Sequence, residues 1–241
     1  MSDQKTVIAF DAYGTLLSTE SIAKKLASHF GEEKAQTIAT TWRKYQLEYT
    51  WRLNSMNQYE DFSTLTQRSL KHALSESSVS LPQSSIDDLM AAYDSLSTFP
   101  DVSPCLESLR SHSSITPVVF SNGTTSMVGN SVYKSPDLKP HSDVFEDIVV
   151  VEEPKRFKPA PEVYTHLAEK VGVKEMGKLW LVSGNPFDIV GARAMGMQAI
   201  WVDRAGNGWQ DELIQGEKGK PTAVVKSLED VVGVVTKAAG R

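Results

Sequence analysis

The chain begins with a short apolar run that ends in a carboxylate and a glycine turn. Residues 7–10 read Val-Ile-Ala-Phe, which is typical of a buried strand, and Asp11 follows directly, with Gly14 shortly after it. In open α/β sheets, ligands bind outside the carboxyl ends of the strands. The pattern therefore predicts a sheet protein in which Asp11 lies at a ligand-binding edge, where a carboxylate can attack an electrophile and form an ester.

Short apolar runs recur along the chain with helical stretches between them, a pattern typical of a parallel α/β sheet. The runs predict strands over residues 6–10, 116–121, 147–151, 179–182, 198–202 and 223–225. Residues 103–104, Ser-Pro, have the form of an N-cap followed by proline at the first helical position. Pro161 opens a second helix that Gly172 ends, and Asp188 lies at the start of a third that ends near Gly196.

The segment from residue 18 to residue 100 interrupts this alternation. It contains apolar residues at helical spacing, such as Trp42, Tyr45 and Tyr49, and no convincing strand. The serine-rich residues 75–85 read as a connection. The pattern predicts an α/β core formed by residues 1–17 and 101–241, with a helical insert over residues 18–100. A further stretch, residues 130–142, has two prolines and many polar side chains and reads as an irregular loop.

Composition narrows the classes of partner. With 40% hydrophobic and 23% charged residues among 241, the chain has the composition of a soluble globular protein. A net charge of -5 argues against nucleic acid as a partner, and no apolar run approaches the length of a membrane span. Residues 1–5 lack the apolar core of a secretory signal, and the single cysteine, Cys105, cannot form an internal disulfide. These features predict a cytoplasmic protein with a structural Cys105.

Polar side chains lie at or near the ends of four predicted strands. They occur in residues 11–15, in the Ser-Asn-Gly of residues 121–123, at Lys158 with Tyr164 further along, and in residues 183–188. The ends of neighbouring parallel strands can meet in one crevice. These side chains are therefore predicted to form one site.

A nucleophilic Asp, a strand-end Ser, a Lys and a late acidic loop, in this order, resemble the four motifs of the haloacid dehalogenase superfamily. Residues 42–51 and 56–59 also resemble the cap helix of the L-2-haloacid dehalogenases. The resemblance implies an α/β fold: a Rossmann-like parallel sheet core with helices on both faces and a helical cap inserted after the first strand. It implies that a small halogenated carboxylic acid is the substrate and that the protein is a homodimer joined partly through cap helices.

The resemblance also implies roles for individual residues. Those matching catalytic positions are Asp11, Thr15, Arg43, Ser121, Lys158, Tyr164, Ser183, Asn185 and Asp188. Those matching substrate-binding positions are Ala12, Tyr13, Leu47, Phe62, Asn122 and Phe187. In the family, Arg43, Asn122 and Phe187 would receive the departing halide, although many relatives have Trp where this chain has Phe187. An arginine suits that role because its charge is permanent and its donors form a fixed fork.

Two departures from the superfamily pattern predict a site without metal or other cofactor. Phosphatases of the superfamily usually carry a second Asp two positions after the nucleophile, and this chain has Tyr13 there. The position of a metal-binding Asp in the last motif is Gly184, so Asp11 and Asp188 are left as a poor magnesium site. Lys158 is the residue expected to offset the two carboxylates. A departing halide needs no proton, so the absence of a second Asp is compatible with carbon–halogen cleavage.

Three alternatives remain open at this stage. One is a magnesium-dependent phosphatase, the commonest activity of the superfamily. Another is a related hydrolase that opens a strained ring at carbon 2, since the same carboxylate attack would serve. The third is a binding protein without catalysis, which the joint presence of Asp11, Arg43, Lys158 and Asp188 disfavours.

Overall fold

The computed structural model describes residues 6–239, and within that range six parallel strands form one sheet in the order β3-β2-β1-β4-β5-β6. The strands are β1 Thr6–Asp11, β2 Ile115–Ser121, β3 Asp147–Val150, β4 Leu179–Ser183, β5 Gln198–Val202 and β6 Ala223–Val225. All six predicted strands are confirmed. β1 and β4 each run one residue further than predicted, and so include Asp11 and Ser183.

The order of the strands determines where a ligand can bind. β1 lies between β2 and β4, and Ile8, Ala9 and Phe10 are fully buried because both faces of this central strand are covered. The chain proceeds from β1 through β2 to β3, then returns to the other side of β1 to form β4. That reversal makes the carboxyl ends of β1 and β4 the switch point of the sheet, where a crevice opens. Asp11 and Ser183 stand at these two ends.

The helices have well-defined bounds. They are α1 Ile22–Phe30, α2 Glu32–Ser55, α3 Phe62–Glu76, α4 Gln83–Tyr93, α5 Val102–Arg110, α6 Thr125–Tyr133, α7 Pro161–Lys170, α8 Pro186–Ala194 and α9 Val231–Ala239. Because crossovers between parallel strands are right-handed, this strand order puts α5 and α6 on one face of the sheet and α7 and α8 on the other. Helices α1 to α4 follow one another between β1 and α5, and the described residues of that segment contain no strand.

Outside the strands, three predicted features differ from the structure. α5 begins at Val102 and Asp101 is its N-cap, so Ser103 lies inside the helix and is not the N-cap. Val102 is buried, and its packing favours a helix that begins at this residue. The stretch 130–142 is mostly helical: its first four residues end α6, and a 3-10 turn covers Lys139–Val144. Buried residues at helical spacing in α6 outweigh the polar composition of this stretch. The serine-rich connection narrows to residues 77–82, because α3 and α4 extend into it.

The aromatic residues of α2 are less exposed than their position in a surface helix suggests. Trp42 is buried, and its Nε1 donates to the carbonyl of Thr66 at 2.7 Å. Tyr45 stacks on His72, with ring centres 3.8 Å apart. Trp51, by contrast, keeps 41% of its surface exposed. Most of these aromatic rings therefore join α2 to α3 within the insert.

The sequence also led to predictions about Cys105, about membrane spans and about residues 1–5. Cys105 is buried in α5, and burial raises the pKa of its thiol to about 12, which fits a structural residue. Within residues 6–239, none of the helices combines the length and the apolar character needed to cross a bilayer. The prediction about residues 1–5 lies outside the described residues.

An arginine after β5 fixes the turn that follows Asp11. Arg204 forms a two-point ion pair with Asp101, with nitrogen–oxygen distances of 3.0 and 2.9 Å, and its Nη2 also donates to the carbonyl of Thr15 at 2.8 Å. The guanidinium lies 3.9 Å above the ring of Phe99. The carboxyl end of β5, the start of α5 and the turn after β1 are thereby tied together.

We expect Arg204→Leu to lower the free energy of unfolding by about 2 kcal/mol, since Asp101 would lose its partner in a mostly buried site that water still reaches. Denaturant titration followed by circular dichroism measures this. Arg193→Leu is the matched control, because this half-buried arginine of α8 also donates to backbone carbonyls but makes no ion pair in the described residues. Equal losses in the two variants would contradict the anchoring role of Arg204.

Candidate active site

Asp11, at the end of β1, has one carboxylate oxygen held by neutral donors. Its Oδ2 accepts from Thr15 Oγ1 at 2.7 Å and from Asn185 Nδ2 at 2.7 Å, with Ser183 Oγ further away at 3.4 Å. Thr15 in turn accepts from the backbone N–H of Gly184 at 2.9 Å, which joins the turn after β1 to the loop after β4. Three donors converging on one oxygen form a ready-made site for negative charge.

The other oxygen of Asp11 faces a buried lysine. Lys158 Nζ donates to Asp11 Oδ1 at 3.1 Å, to Asp188 Oδ2 at 2.8 Å and to the carbonyl of Phe120 at 2.8 Å. Only 1% of the Lys158 surface is exposed. One ammonium therefore lies between two carboxylates, with all three of its protons used, which is how a lysine can be buried without a large penalty.

Asp188 is fully buried in the first turn of α8, and a tyrosine completes its surroundings. Tyr164 OH donates to Asp188 Oδ1 at 2.8 Å. Burial raises the pKa of Asp188, and the charge of Lys158 opposes that rise. Burial and the Asp188 charge raise the pKa of Tyr164 well above its usual value, so the phenol stays protonated and donates. Gly191 permits this contact, because a Cβ there would lie 2.4 Å from the Tyr164 hydroxyl.

The segment after β2 contributes a serine and an asparagine. Ser121 Oγ is buried and accepts from the backbone N–H of Gly123 at 3.0 Å. Asn122 Oδ1 accepts from the backbone N–H of Lys158 at 2.8 Å. This bond commits the amide oxygen to the lysine loop and leaves the Nδ2 group to donate to another partner. β2 is therefore connected to the lysine loop through side chain and backbone.

Arg43, in α2, reaches the same edge of the sheet from the helical insert. Its Nη2 lies 3.2 Å from the carbonyl of Tyr13 and 3.3 Å from Asn185 Oδ1. The same Asn185 donates to Asp11, so a single amide bridges the arginine and the carboxylate. A guanidinium that belongs to a different part of the fold is thus held beside Asp11.

The structure gives the local contacts of the predicted substrate-binding residues. Tyr13 and Phe62 are buried and stack with ring centres 5.6 Å apart, so Phe62 packs the insert against the core. Phe187 contacts Trp51 edge-on at 5.6 Å. Leu47 is half-buried on α2. The carbonyl of Ala12 accepts the N–H groups of residues 15–17 and so shapes the turn after Asp11.

Two residues of the site were missed by sequence reasoning. Gln46 is fully buried and accepts from Arg43 Nη1 at 2.7 Å; its place three residues after Arg43, on the same face of α2, was a usable signal. Asn54 pairs with both backbone groups of Phe157, at 2.7 and 3.0 Å, next to Lys158. No sequence pattern indicates that second pairing, because the partners are more than a hundred positions apart.

The position where phosphatases of this superfamily carry a metal ligand has no room for a side chain. A Cβ on Gly184 would lie 2.5 Å from the carbonyl oxygen of Gly14. Within the described residues, no three His, Cys, Asp or Glu side chains are grouped as metal ligands. Asp11 and Asp188 have Lys158 between them instead.

Comparison with known proteins connects this geometry to a family. The model of the haloacid dehalogenase-like hydrolases matches residues 5–196. The (S)-2-haloacid dehalogenase 4A of Burkholderia cepacia is 33% identical over 207 residues, which cover 86% of this chain and 87% of that protein. Haloacetate dehalogenase H-2 of Moraxella sp. (strain B) is 32% identical over 228 residues, 95% and 96% of the two chains.

Solved structures show the same likeness. L-2-haloacid dehalogenase from Xanthobacter autotrophicus with chloropropionic acid covalently bound superposes with a TM-score of 0.84 at 26% identity, covering 96% of this chain and 98% of that one. A dehalogenase crystal structure superposes with a TM-score of 0.86 at 30% identity, covering 97% and 98% of the two chains.

We expect Tyr164→Phe to raise the pKa of Asp188 further, because the tyrosine hydroxyl stabilises the ionised carboxyl by donating to it. Carbon NMR of protein labelled at the aspartate carboxyls follows this titration, and Asp188→Asn assigns the signal. Tyr133→Phe, at a half-exposed tyrosine of α6, is the control. An unchanged or lower Asp188 pKa in Tyr164→Phe would refute the assignment.

Proposed function

The chain belongs to the haloacid dehalogenase-like hydrolases, and on that premise we propose that it hydrolyses the carbon–halogen bond of short (S)-2-haloalkanoic acids to give (R)-2-hydroxy acids. The observation that carries the proposal is the arrangement around Asp11, with Lys158 on one oxygen, three neutral donors on the other and Arg43 nearby. The names of the relatives in Burkholderia cepacia and Moraxella support it.

In the first step, Asp11 Oδ1 attacks carbon 2 of the substrate and the halide leaves with the bonding electrons. We assign the attack to Oδ1 because it accepts from Lys158 alone, whereas Oδ2 accepts from three neutral donors. Arg43, the Asn122 amide and the Phe187 ring edge stabilise the growing charge on the halide, a form of catalysis that requires preorganised donors. In-line attack inverts carbon 2. The covalent chloropropionic acid in the Xanthobacter autotrophicus structure supports an ester of this kind.

Other residues hold the substrate while this bond forms. We propose that Ser121 and the backbone N–H groups of Ala12 and Tyr13 bind its carboxylate. Tyr13, Leu47 and Phe62 surround its carbon chain. A small, mostly apolar site with a few polar groups suits short acids.

In the second step, water attacks the ester carbonyl carbon of Asp11. Asp188 takes a proton from that water, and Ser183 and Asn185 orient it. Charge then collects on Oδ2, where Thr15 and its neighbours already donate. The bond from the carbonyl carbon to Oδ1 breaks, Oδ1 leaves with the product, and the proton on Asp188 passes to it to complete the hydroxy acid. The second proton of the water is then released from Asp11 to solvent, which regenerates the carboxylate.

Lys158 and Tyr164 support both steps. The ammonium of Lys158 offsets the charges of the two carboxylates, an attraction of roughly 4 kcal/mol at about 4 Å and an effective dielectric near 20. Tyr164 holds Asp188. No metal or other cofactor takes part in the proposed reaction. The crowding at Gly184 argues against the phosphatase alternative, since a metal-binding carboxylate has no place there without movement of the backbone.

We expect the protein to release halide from L-2-chloropropionate and L-2-bromopropionate in the presence of excess EDTA, and not from the D-isomers. A parallel assay on p-nitrophenyl phosphate with added Mg²⁺ tests the phosphatase alternative. Phosphate release that requires Mg²⁺, with no halide release, would overturn the proposal.

In a single turnover in ¹⁸O-water, with enzyme in excess, we expect the label to appear in Asp11 and the product to carry unlabelled oxygen. Mass spectrometry of the tryptic peptide of residues 6–24 detects the label. Asp11→Asn should show no turnover beyond traces from deamidation. Label found only in the product would mean that water attacks carbon 2 directly.

We further propose that α1 to α4 form a cap domain over residues 18–100, above a core of residues 1–17 and 101–241, and that the protein is a cytoplasmic homodimer joined partly through the cap. The exposed Trp51 of α2 and the exposed Met56 that directly follows this helix support the dimer. Sedimentation equilibrium should give twice the mass of the 26.5 kDa chain, and Trp51→Glu combined with Met56→Glu should shift it to the monomer. A monomeric wild type would contradict this.

A further inference from the structure

Gln46, in the same helix of the insert as Arg43, provides a buried neutral acceptor for the guanidinium. Its Oε1 accepts from Arg43 Nη1 at 2.7 Å, while Arg43 Nη2 faces the Tyr13 carbonyl and Asn185. We propose that Gln46 is a positioning residue that fixes Arg43 for stabilising the departing halide, an inference that rests on the proposed function. Gln46 lies one turn along α2 from Arg43, and its side chain bonds to Arg43, Thr66 and Tyr93.

The orientation of the Gln46 amide is determined by its other partners. Thr66 Oγ1 donates to the carbonyl of Phe62 at 2.6 Å, so the single proton of that hydroxyl is already used. Thr66 Oγ1 can therefore only accept from Gln46, and the Nε2 of Gln46 lies 2.7 Å from it. With its NH₂ group committed to Thr66, Gln46 presents its oxygen to Arg43.

A tyrosine reinforces the same oxygen. Tyr93 OH donates to Gln46 Oε1 at 3.0 Å. Burial raises the pKa of Tyr93, so its hydroxyl keeps the proton that it donates. Gln46, Thr66 and Tyr93 are all buried, and a network without access to water holds one geometry better than an exposed one.

The neutrality of Gln46 matters as much as its position. A carboxylate at this place would also accept from Arg43, but it would cancel part of the charge that a departing halide requires. A glutamine oxygen holds the guanidinium while leaving its positive charge intact. Gln46→Glu keeps the shape and changes the charge, whereas Gln46→Leu removes the acceptor. The first variant tests the need for a neutral partner and the second tests the need for an acceptor, and each is expected to weaken the stabilisation of the halide.

The test measures ester formation in single turnovers on 2-fluoro-, 2-chloro- and 2-bromopropionate. Poorer leaving groups depend more on Arg43, so Gln46→Leu and Gln46→Glu should slow the chloride substrate by about 10- to 100-fold and the bromide substrate less. Inhibition by added chloride should weaken in both variants, and KM should change by less than kcat. Gln36→Leu and Gln36→Glu, at an exposed glutamine of α2, are the matched controls.

A role confined to folding would lower the rates on all three substrates by the same factor and leave chloride inhibition unchanged, and that result would overturn the proposal. If Gln46→Leu does not fold, Gln46→Glu and Tyr93→Phe carry the same comparison. The nitrogen NMR signal of Arg43 Nε–Hε provides a readout without turnover: added chloride should shift it in wild type and not in Gln46→Leu. Wild type that binds chloride but releases no halide would refute the proposed function, whereas an Arg43 signal identical in both proteins would refute the role of Gln46.

Discussion

The shared ammonium of Lys158 is the interaction on which the rest of the site depends. Two carboxylates, Asp11 and Asp188, lie at neighbouring strand ends, and without a cation between them their repulsion in a buried site would protonate one of them. Lys158 removes that conflict and uses its third proton on the carbonyl of Phe120. The loop that carries Lys158 is held by Asn122 of the core and by Asn54 of the insert. The same loop therefore places the ammonium in the site and joins the core to the insert.

The two halves of the proposed reaction draw on different parts of the fold. The groups that would hydrolyse the ester come from the sheet edge, where strand geometry places them accurately. Arg43, the group that would receive the halide, comes from a helix of the insert, and within residues 6–239 its hydrogen bonds to the core go to Tyr13 and Asn185. A long, flexible side chain in that position needs support from its own helix, which is the physical reason for giving weight to Gln46.

Apolar runs and the Gly, Pro and polar residues that end them predicted the fold well. A strand that is buried on both faces has to be a short apolar run and has to end where polar residues begin. The stretch 130–142 was the main error: its buried Ser131 and Val132 follow the buried Met127 and Val128 at helical spacing, but its many polar residues concealed this. Motif order predicted the cluster of Asp11, Lys158 and Asp188. The pairing of Asn54 with Phe157 could not be predicted, because contacts between distant segments depend on how the insert lies on the core.

The sequence by itself determined which polar residues lie at or near the ends of the strands, with Asp11 after the first strand. It also determined that Tyr13 and Gly184 replace two carboxylates found in phosphatases. These are local properties, set by residue type and spacing. Only the tertiary structure decided that Gly184 has no space for a side chain beside Gly14, that Lys158 bonds to both carboxylates, and that the Gln46 oxygen faces Arg43. Such facts depend on contact distances between segments that are far apart in the chain. Tertiary packing fixes these distances, whereas residue spacing along the sequence does not.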